Sequence, residues 1–378
     1  MEPTVQDDFD YEGFYRFIFS VFLRYKELYK KRNKCYINYA EEYNEFVINN
    51  FWYLNYFYTE LLVSIKDDSA FEKVIKNYFY FNPDICRQYL NSNDRTDVEF
   101  VRNYIKLDFE FLKKLYDDLI LYHYTNFDSL GKIIEGHNLK FSNITLKSND
   151  NTEGAYLDKY FDKYHSKFFN KVDDLKNNQD NYAFCLSSKK DDVAQWARYA
   201  GYDGACLVFS VKELFDYFSN YLIKYQGVFF ITPLKYASFE KISKKDYVAE
   251  LAFLNLTTEH QSLFNALRLM FKHQSFESER EYRLYFCLDK NNDNLNEIDI
   301  LKKNFTDGSI MMEIAREKFT SIIPQIIFGP HSKERDRQNI IKKLKDKGFE
   351  KITCIKSDCP IKQDKKCSTV PAIDLLFE

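Results

Sequence analysis

The spacing of apolar residues changes near Leu119, and this change constrains the fold more than any other feature of the sequence. Before Leu119, apolar residues recur at steps of three and four over 11–29, 39–65 and 98–121, a spacing typical of amphipathic helices. After it, short apolar runs of strand length alternate with turns. We therefore predict two domains. Residues 1–118 form a helical accessory or partner-binding domain, and residues 119–378 form an α+β domain.

The second domain contains predicted strands separated by turns and some helices. Strands are predicted over 120–125, 139–142, 182–187, 205–210, 228–231, 282–288, 322–328 and 351–355. Helices are predicted over 128–135, 192–200, 261–272 and 333–347. Gly348 is expected to end the last of these helices, because glycine readily adopts the left-handed conformation found after a helix.

Glycine is scarce, with 10 residues in 378, against a usual share of about 7%. The sequence contains no GxGxxG, GxxxxGK[ST] or GxSxG motif. It therefore lacks the main signatures of Rossmann, P-loop and α/β-hydrolase proteins. Aromatic residues reach 18%. We attribute this excess to an A/T-rich genome, because Phe, Tyr, Asn, Lys and Ile are all plentiful, and to core packing by large rings.

Charge and targeting signals point to a soluble protein. The formal net charge is -3 and the pI is about 6.2, so no overall basic field indicates nucleic-acid binding. The acidic segment 1–12 lacks the features of a signal peptide, and the apolar run 14–23 is too short to span a bilayer. The 8 cysteines show no disulfide-scaffold spacing, so we expect a cytoplasmic location.

The first candidate site is the predicted strand over 121–125. Alternation along a strand places Tyr122 and Tyr124 on one face and His123 and Thr125 on the other. Near the end of the strand, His123 is placed to hydrogen-bond a ligand. The alternatives are that it caps the neighbouring structure or titrates in solvent.

The second candidate site is a strand that ends at Ser187 and runs into a helix and a glycine turn at Gly204. Ser187, at the strand end, suits a ligand contact. Trp196 and Tyr199 are three residues apart and therefore share a helical face. They either join the helix to the sheet or form a platform for a ligand.

The third candidate site combines three charges around 279–287. If a strand covers this range, Glu279, Glu281 and Arg283 lie on one face. Adjacent carboxylates are unfavourable unless Arg283 pairs with them or a ligand uses them. The alternative is an exposed sheet edge protected by charge against aggregation.

Metal binding and phosphate binding have weaker support in the sequence. Cys354, Cys359 and Cys367 have a spacing that resembles a zinc site, but no fourth ligand is evident, so we expect free thiols and no metal. His260 and His273 flank an apolar stretch without an HExxH pattern. Basic residues on the last predicted helix either touch phosphates or form a solvated face.

Taken in order, these blocks resemble the bacterial domain of unknown function 2971 family over about residues 119–347. The matching segments are 122–125, 139–142 with Asn149, Asp150 and Glu153, 184–187, 196–200 with Gly204, 279–283 and 326–330. The family often has a histidine where Arg198 stands in this sequence.

The resemblance implies a fold of the ADP-ribosyltransferase type, with a mixed or antiparallel sheet and flanking helices. It also implies that NAD is the substrate and that a histidine, a serine or tyrosine, and a glutamate form the site. The histidine would be His123, the middle residue Ser187 or Tyr199, and the glutamate Glu281 with Glu279 as its rival. Neither a metal nor a glycine-rich phosphate cradle would be required.

The chemistry of NAD cleavage makes these residue types suitable. Breaking the bond between nicotinamide and ribose creates an oxocarbenium-like centre that a carboxylate can stabilise. By the same resemblance, His123 would fix the other ribose, Tyr124 or Tyr199 would stack on nicotinamide, and Arg283 would hold a glutamate or a phosphate.

The resemblance thus implies a transferase or NAD glycohydrolase that passes ADP-ribose to a protein, a nucleic acid or water. Such domains commonly act as toxins or in antiviral defence, and the helical domain would recruit a protein partner. Two alternatives stay open. The first is a non-catalytic binding protein in which the charges are structural. The second is a nucleic-acid-processing enzyme using Glu279, Glu281 and His123, which the lack of a metal cluster and of basic surplus disfavours.

Overall fold

A mixed, open β-sheet flanked by helices forms the body of the protein, as a computed structural model shows. The structure describes residues 11–32, 54, 114, 116–117, 119–144, 179–224, 228–237, 271–289, 301–303 and 308–361. Within these ranges, the predicted combination of a mixed sheet and helices is confirmed.

Twelve strands are found in the described residues. They are β1 Ile120–Thr125, β2 Asn138–Asn143, β3 Gln179–Ser187, β4 Ala205–Ser210, β5 Val228–Pro233, β6 Lys235–Ala237, β7 Phe271–His273, β8 Glu281–Asp289, β9 Leu301–Lys303, β10 Ile310–Glu313, β11 Gln325–Phe328 and β12 Thr353–Lys356.

The helices lie between these strands and before them. They are α1 Tyr11–Arg32, α2 Phe127–Gly136, α3 Val193–Gln195, α4 Val211–Lys224, α5 Arg316–Ile322 and α6 Glu334–Asp346. A π-helix, Trp196–Ala200, continues α3, and a 3₁₀-helix, Gln274–Glu279, precedes β8.

The main sheet has the strand order β12-β11-β4-β1-β3-β2-β10-β9. Strand β8 pairs with β3 on one side and with β5 on the other. Among the described strands of this sheet, β11 and β12 are parallel and the other paired strands are antiparallel. Strands β6 and β7 form a separate parallel pair.

Strand β3 is a branch point, because two strands share one of its sides. Along its length it pairs with β8, from Gln179↔Asp289 to Ser187↔Glu281. On the other side, β1 pairs with it at Ser187 and β2 pairs with it at Tyr182 and Ala183. The sheet therefore opens into a fork between β1 and β2.

The core follows from the apolar sequence of the central strands. Leu207 and Phe209 on β4 are fully buried, as expected for a strand with neighbours on both sides and helices on its faces. Burying each such side chain contributes about 1.5–3 kcal/mol. Helices α4 and α5 pack against β4, while α6 packs against α2.

The residues before the sheet are described only in part. Helix α1 confirms the predicted helix over 11–29. Just before β1, the ring of Tyr116 stacks on Phe215 of α4 with centroids 4.5 Å apart. Two predicted helices lie wholly or mostly outside the described residues, namely 39–65 and 98–121. The predicted domain boundary at 118 stays a prediction for the same reason.

The predicted strand over 322–328 and the predicted helix over 261–272 differ from the structure. The predicted strand over 322–328 begins at Gln325, because α5 extends to Ile322 and Pro324 follows, and the residue before a proline disfavours helix. The last residues of the predicted helix over 261–272 form strand β7 instead. The rest of that helix lies outside the described residues.

Candidate functional site

A cleft of about 220 Å³ opens at the fork of the sheet. Its lining includes every residue that the sequence predicted as catalytic or NAD-binding: His123, Tyr124, Ser187, Tyr199, Glu279, Glu281 and Arg283. These residues come from β1, β3, β8, the π-helix and the 3₁₀-helix, so the tertiary fold brings them together.

Glu279 is the last residue of the 3₁₀-helix and is buried. Arg280 then adopts a left-handed conformation with φ 45°, and β8 starts at Glu281. The prediction that Glu279, Glu281 and Arg283 alternate on one strand is therefore wrong for Glu279. The physical reason is a helix cap, since the His273 side chain accepts a hydrogen bond from the Ser275 backbone amide and holds the chain in a helical turn.

Three donors surround the Glu279 carboxylate. Its Oε1 accepts from Arg198 at 2.6 Å and from Tyr199 at 2.8 Å, and its Oε2 accepts from Lys272 at 2.6 Å. Burial raises the pKa of Glu279, but these contacts outweigh it and the net shift is downward. The carboxylate is therefore ionised at neutral pH.

Glu281 and Arg283 form a second buried charged pair, with Arg283 Nε 2.8 Å from Glu281 Oε1. Lys272 Nζ lies 2.8 Å from Glu281 Oε2. Burial raises the pKa of Glu281, against the opposing effect of Lys272. Because β8 is flanked by β3 and β5, the alternative that these charges protect an exposed sheet edge is wrong.

Lys272 is a central site residue that the sequence did not predict. Its side chain is buried on β7 and touches both glutamates. The sequence placed it at the end of a predicted helix, where a lysine normally faces solvent. The signal that points to it is the carboxylate pair itself, since two buried negative charges need a nearby cation.

The π-helix presents Tyr199 to the cleft and places Arg198 against the Glu279 carboxylate. In this helix the Gly201 amide bonds to the Trp196 carbonyl, five residues back, so residues three apart no longer share a face. Trp196 is fully buried, whereas Tyr199 is 39% exposed. The prediction that they lie on one face is therefore wrong. Arg198, where the resemblance would lead one to expect a histidine, contacts Glu279.

Trp196 and Tyr124 join the π-helix to the sheet. Their rings meet edge to face with centroids 4.9 Å apart, which favours the packing interpretation of Trp196. The Tyr124 hydroxyl donates to the Lys189 carbonyl at 2.8 Å and accepts from the Asp192 amide at 3.0 Å. Tyr124 thus anchors the loop that leads into α3.

Ser187 holds Glu279 through the backbone. Its hydroxyl donates to the Glu279 carbonyl at 2.7 Å and accepts from the Lys189 amide at 3.1 Å. The Gln195 side chain donates to the same Glu279 carbonyl at 3.0 Å. Strand β3 and α3 therefore fix the position at which the Glu279 carboxylate enters the cleft.

His123 lies at the fork, between the two pairings of β3. Its Nδ1 is 3.0 Å from the Cys185 carbonyl, and because a carbonyl only accepts, Nδ1 carries the proton. Burial lowers the pKa of His123, so the ring is neutral at pH 7 and Nε2 is an acceptor. The Cys185 thiol also lines the cleft, where desolvation by the surrounding side chains and the nearby Glu281 raise its pKa.

Asp191 links the segment after β12 to the π-helix. Its carboxylate accepts from Trp196 Nε1 at 2.7 Å, from the Ser357 hydroxyl, and from the Asp358 amide at 2.8 Å. Asp191 also has a left-handed backbone with φ 50°, which Asp and Asn adopt more readily than most residues.

We expect Asp191→Ala to lower the free energy of unfolding by about 2–3 kcal/mol, because it leaves the buried Trp196 N–H without a partner. Asp191→Asn keeps an acceptor oxygen and should cost less. Urea unfolding followed by tryptophan fluorescence measures both. Asp203→Ala, on an exposed turn nearby, is the control and should stay within about 0.5 kcal/mol of wild type; equal stability of the two alanine variants would contradict the linking role.

The described ranges contain no group of three His, Cys, Asp or Glu residues that could hold a metal ion, and none of their helices is long and apolar enough to cross a membrane. Cys354 and Cys359 are free thiols. Cys367 and His260 lie outside these ranges, and His273 caps the 3₁₀-helix.

The fold and the cleft define a mixed α/β protein with a buried carboxylate–lysine site. Residues 195–284 match the model of a family described as Protein of unknown function (DUF2971). This segment includes the π-helix, Lys272 and both glutamates, and the match supports the resemblance to that family. No curated protein and no solved structure matches the chain, so the likeness to ADP-ribosyltransferases stays a prediction.

Proposed function

We propose that the protein consumes NAD by breaking the bond between nicotinamide and ribose. The ADP-ribose then passes to a macromolecular acceptor or to water. The observation that carries this proposal is the cleft at the fork, where two buried carboxylates, Glu279 and Glu281, lie with His123 and Ser187. Carboxylates held near a ribose stabilise the positive charge of an oxocarbenium-like transition state.

The contacts favour Glu281 over Glu279 as the carboxylate that faces the reacting ribose. Glu279 is held by Arg198, Tyr199 and Lys272, all strong donors. Glu281 is held by Lys272 and Arg283 and has the Cys185 thiol as its third neighbour. A thiol is a weak donor, so a ribose hydroxyl can replace it at the Glu281 carboxylate.

The reaction needs one carboxylate and one acceptor. The C1′–N bond breaks, and nicotinamide leaves with the electron pair as a neutral base. The positive charge that develops on C1′ and the ring oxygen is stabilised by Glu281. The acceptor oxygen then bonds to C1′ and releases its proton to water. Neutral His123 accepts a hydrogen bond from a ribose hydroxyl through Nε2.

The charge balance of the site suits an anionic dinucleotide. The site carries three positive charges, on Arg198, Lys272 and Arg283, and two negative charges, on Glu279 and Glu281. The Arg198 side chain is 42% exposed, so its guanidinium is accessible to a phosphate. The cavity of about 220 Å³ is below the range of about 300–1,000 Å³ for drug-sized ligands, and it would take the nicotinamide–ribose half of NAD.

The test is to incubate the full-length protein with NAD labelled in nicotinamide and, separately, in the adenosine moiety, with and without cell lysate. We expect release of nicotinamide, and labelled macromolecules if the acceptor is a protein or nucleic acid. NAD binding by calorimetry without any release would favour the non-catalytic binding protein. Neither binding nor release would overturn the proposal.

A further inference from the structure

A single buried ammonium group joins the two carboxylates of the site. Lys272 Nζ lies 2.6 Å from Glu279 Oε2 and 2.8 Å from Glu281 Oε2. Only 6% of the Lys272 side chain is exposed, and Nζ also lies 4.8 Å from the centre of the Phe276 ring. Lys272 Nζ therefore lies between the two carboxylates, with the Phe276 ring beside it.

The other two cations each approach the pair from one side. Arg198 contacts Glu279, and Arg283 contacts Glu281, whereas Lys272 contacts both. Two carboxylates close enough to share one ammonium repel each other, and in a buried site one of them would take up a proton if the cation between them were removed.

The groups that face the carboxylate pair come from six elements. They are His123 on β1, Cys185 on β3, Arg198 and Tyr199 on the π-helix, Tyr236 on β6, Lys272 on β7 and Arg283 on β8. Burial lowers the pKa of Lys272, but both glutamates outweigh it and the net shift is upward. The lysine is therefore charged whenever the glutamates are.

We propose that Lys272 is a positioning residue that keeps Glu279 and Glu281 ionised side by side and aims Glu281 into the cleft. Its electrostatic role does not depend on the identity of the ligand. Its consequence for catalysis rests on the proposed function, because a protonated Glu281 cannot stabilise a positive charge on ribose. The two statements can therefore be tested separately.

The first test measures thermal stability of the full-length chain at pH 5 and pH 8. Without the lysine, one carboxyl of the pair in folded K272M has a raised pKa and keeps its proton. In the unfolded chain the same carboxyl has the usual glutamate pKa of about 4.3. The raised pKa therefore stabilises the folded variant at low pH, and this stabilisation is lost as the pH rises. K272M should melt below wild type at both pH values, and the drop should be larger at pH 8 than at pH 5. We expect the extra drop to be on the order of 5 °C.

Three control variants separate charge from packing. Lys272→Arg keeps the positive charge and should show the same difference from wild type at both pH values. The double variant K272M/E281Q removes one carboxylate charge and should recover much of the loss at pH 8. Lys132→Met removes a lysine from an exposed ion pair with Asp128 and should show no pH-dependent change.

Equal destabilisation of K272M at both pH values, without recovery in the double variant, would overturn the proposal. If K272M is unfolded at both pH values, the double variant decides: a folded double variant supports the charge role, and an unfolded one shows that the lysine serves packing. Nicotinamide release gives the second readout. If wild type releases no nicotinamide but K272M shows the expected dependence on pH, NAD cleavage is refuted and the role of Lys272 stands. If wild type releases nicotinamide but K272M shows no dependence on pH, the role of Lys272 is refuted and NAD cleavage stands.

Discussion

Glu281→Gln is expected to reduce nicotinamide release by about 10²–10³-fold, the usual effect of removing one preorganised group that stabilises transition-state charge. Glutamine has nearly the shape of glutamate but carries no negative charge. It can still accept from Lys272 or Arg283, so the cleft should keep its form. We therefore expect the loss to appear in kcat, measured by steady-state release of nicotinamide, while NAD affinity by calorimetry changes much less.

The matched control is Glu277→Gln, the same substitution on the 3₁₀-helix that carries Glu279. Glu277 has a half-exposed side chain and a 3.8 Å ion pair with Arg280, and it does not line the cleft. This variant should keep wild-type activity. If E281Q stays as active as E277Q, Glu281 is not the reacting carboxylate, and Glu279→Gln becomes the variant to test.

Gly204→Ala, which adds a single methyl group just after the π-helix, should lower the free energy of unfolding strongly. A Cβ at Gly204 would lie 2.7 Å from the Ala200 carbonyl oxygen and closer still to the Thr125 carbonyl oxygen. Both are backbone atoms and cannot move without disturbing β1 or the π-helix. We expect a loss of about 3 kcal/mol, at the upper end for overpacking, measured by urea unfolding.

Gly131→Ala is the matched control for that substitution. At Gly131, within α2, the nearest atom to a new Cβ is Lys343 Nζ at 3.1 Å, the end of a flexible side chain. Alanine also favours helix over glycine by about 1 kcal/mol, so G131A should be neutral or stabilising. If G204A unfolds at the same urea concentration as G131A, the close approach of the backbone at Gly204 is not required for stability.

The strands of the sheet could be predicted where apolar runs are long enough to carry a pattern. The predicted bounds of β4 match the observed ones, Ala205–Ser210, because the strand is apolar from Ala205 to Phe209. Strands β6, β7 and β9 have three residues each, too few for an alternation to be visible. The pairing of β6 with β7 also joins segments that are distant in the chain, whereas β9 pairs with the nearby β10.

The sequence predicted several residues of the candidate site, but not the contacts that position them. The order of the motifs singled out His123, Ser187 and Glu281, which line one cleft. The start of β8 at Glu281 depends on a helix cap by His273, and the exposure of Tyr199 depends on a π-helix. Neither feature changes the hydrophobic pattern, so periodicity could not reveal them or the buried position of Lys272.

The continuous pairing of β3 with β8 beside the fork has a mechanical consequence. A site covered by a loop can open and close by moving that loop, but one wall of this cleft is formed by β3 and β8, which pair from Gln179↔Asp289 to Ser187↔Glu281. Moving these two strands apart would break the hydrogen bonds between them. On this side a ligand therefore meets a wall that is already fixed, which lowers the entropy lost on binding.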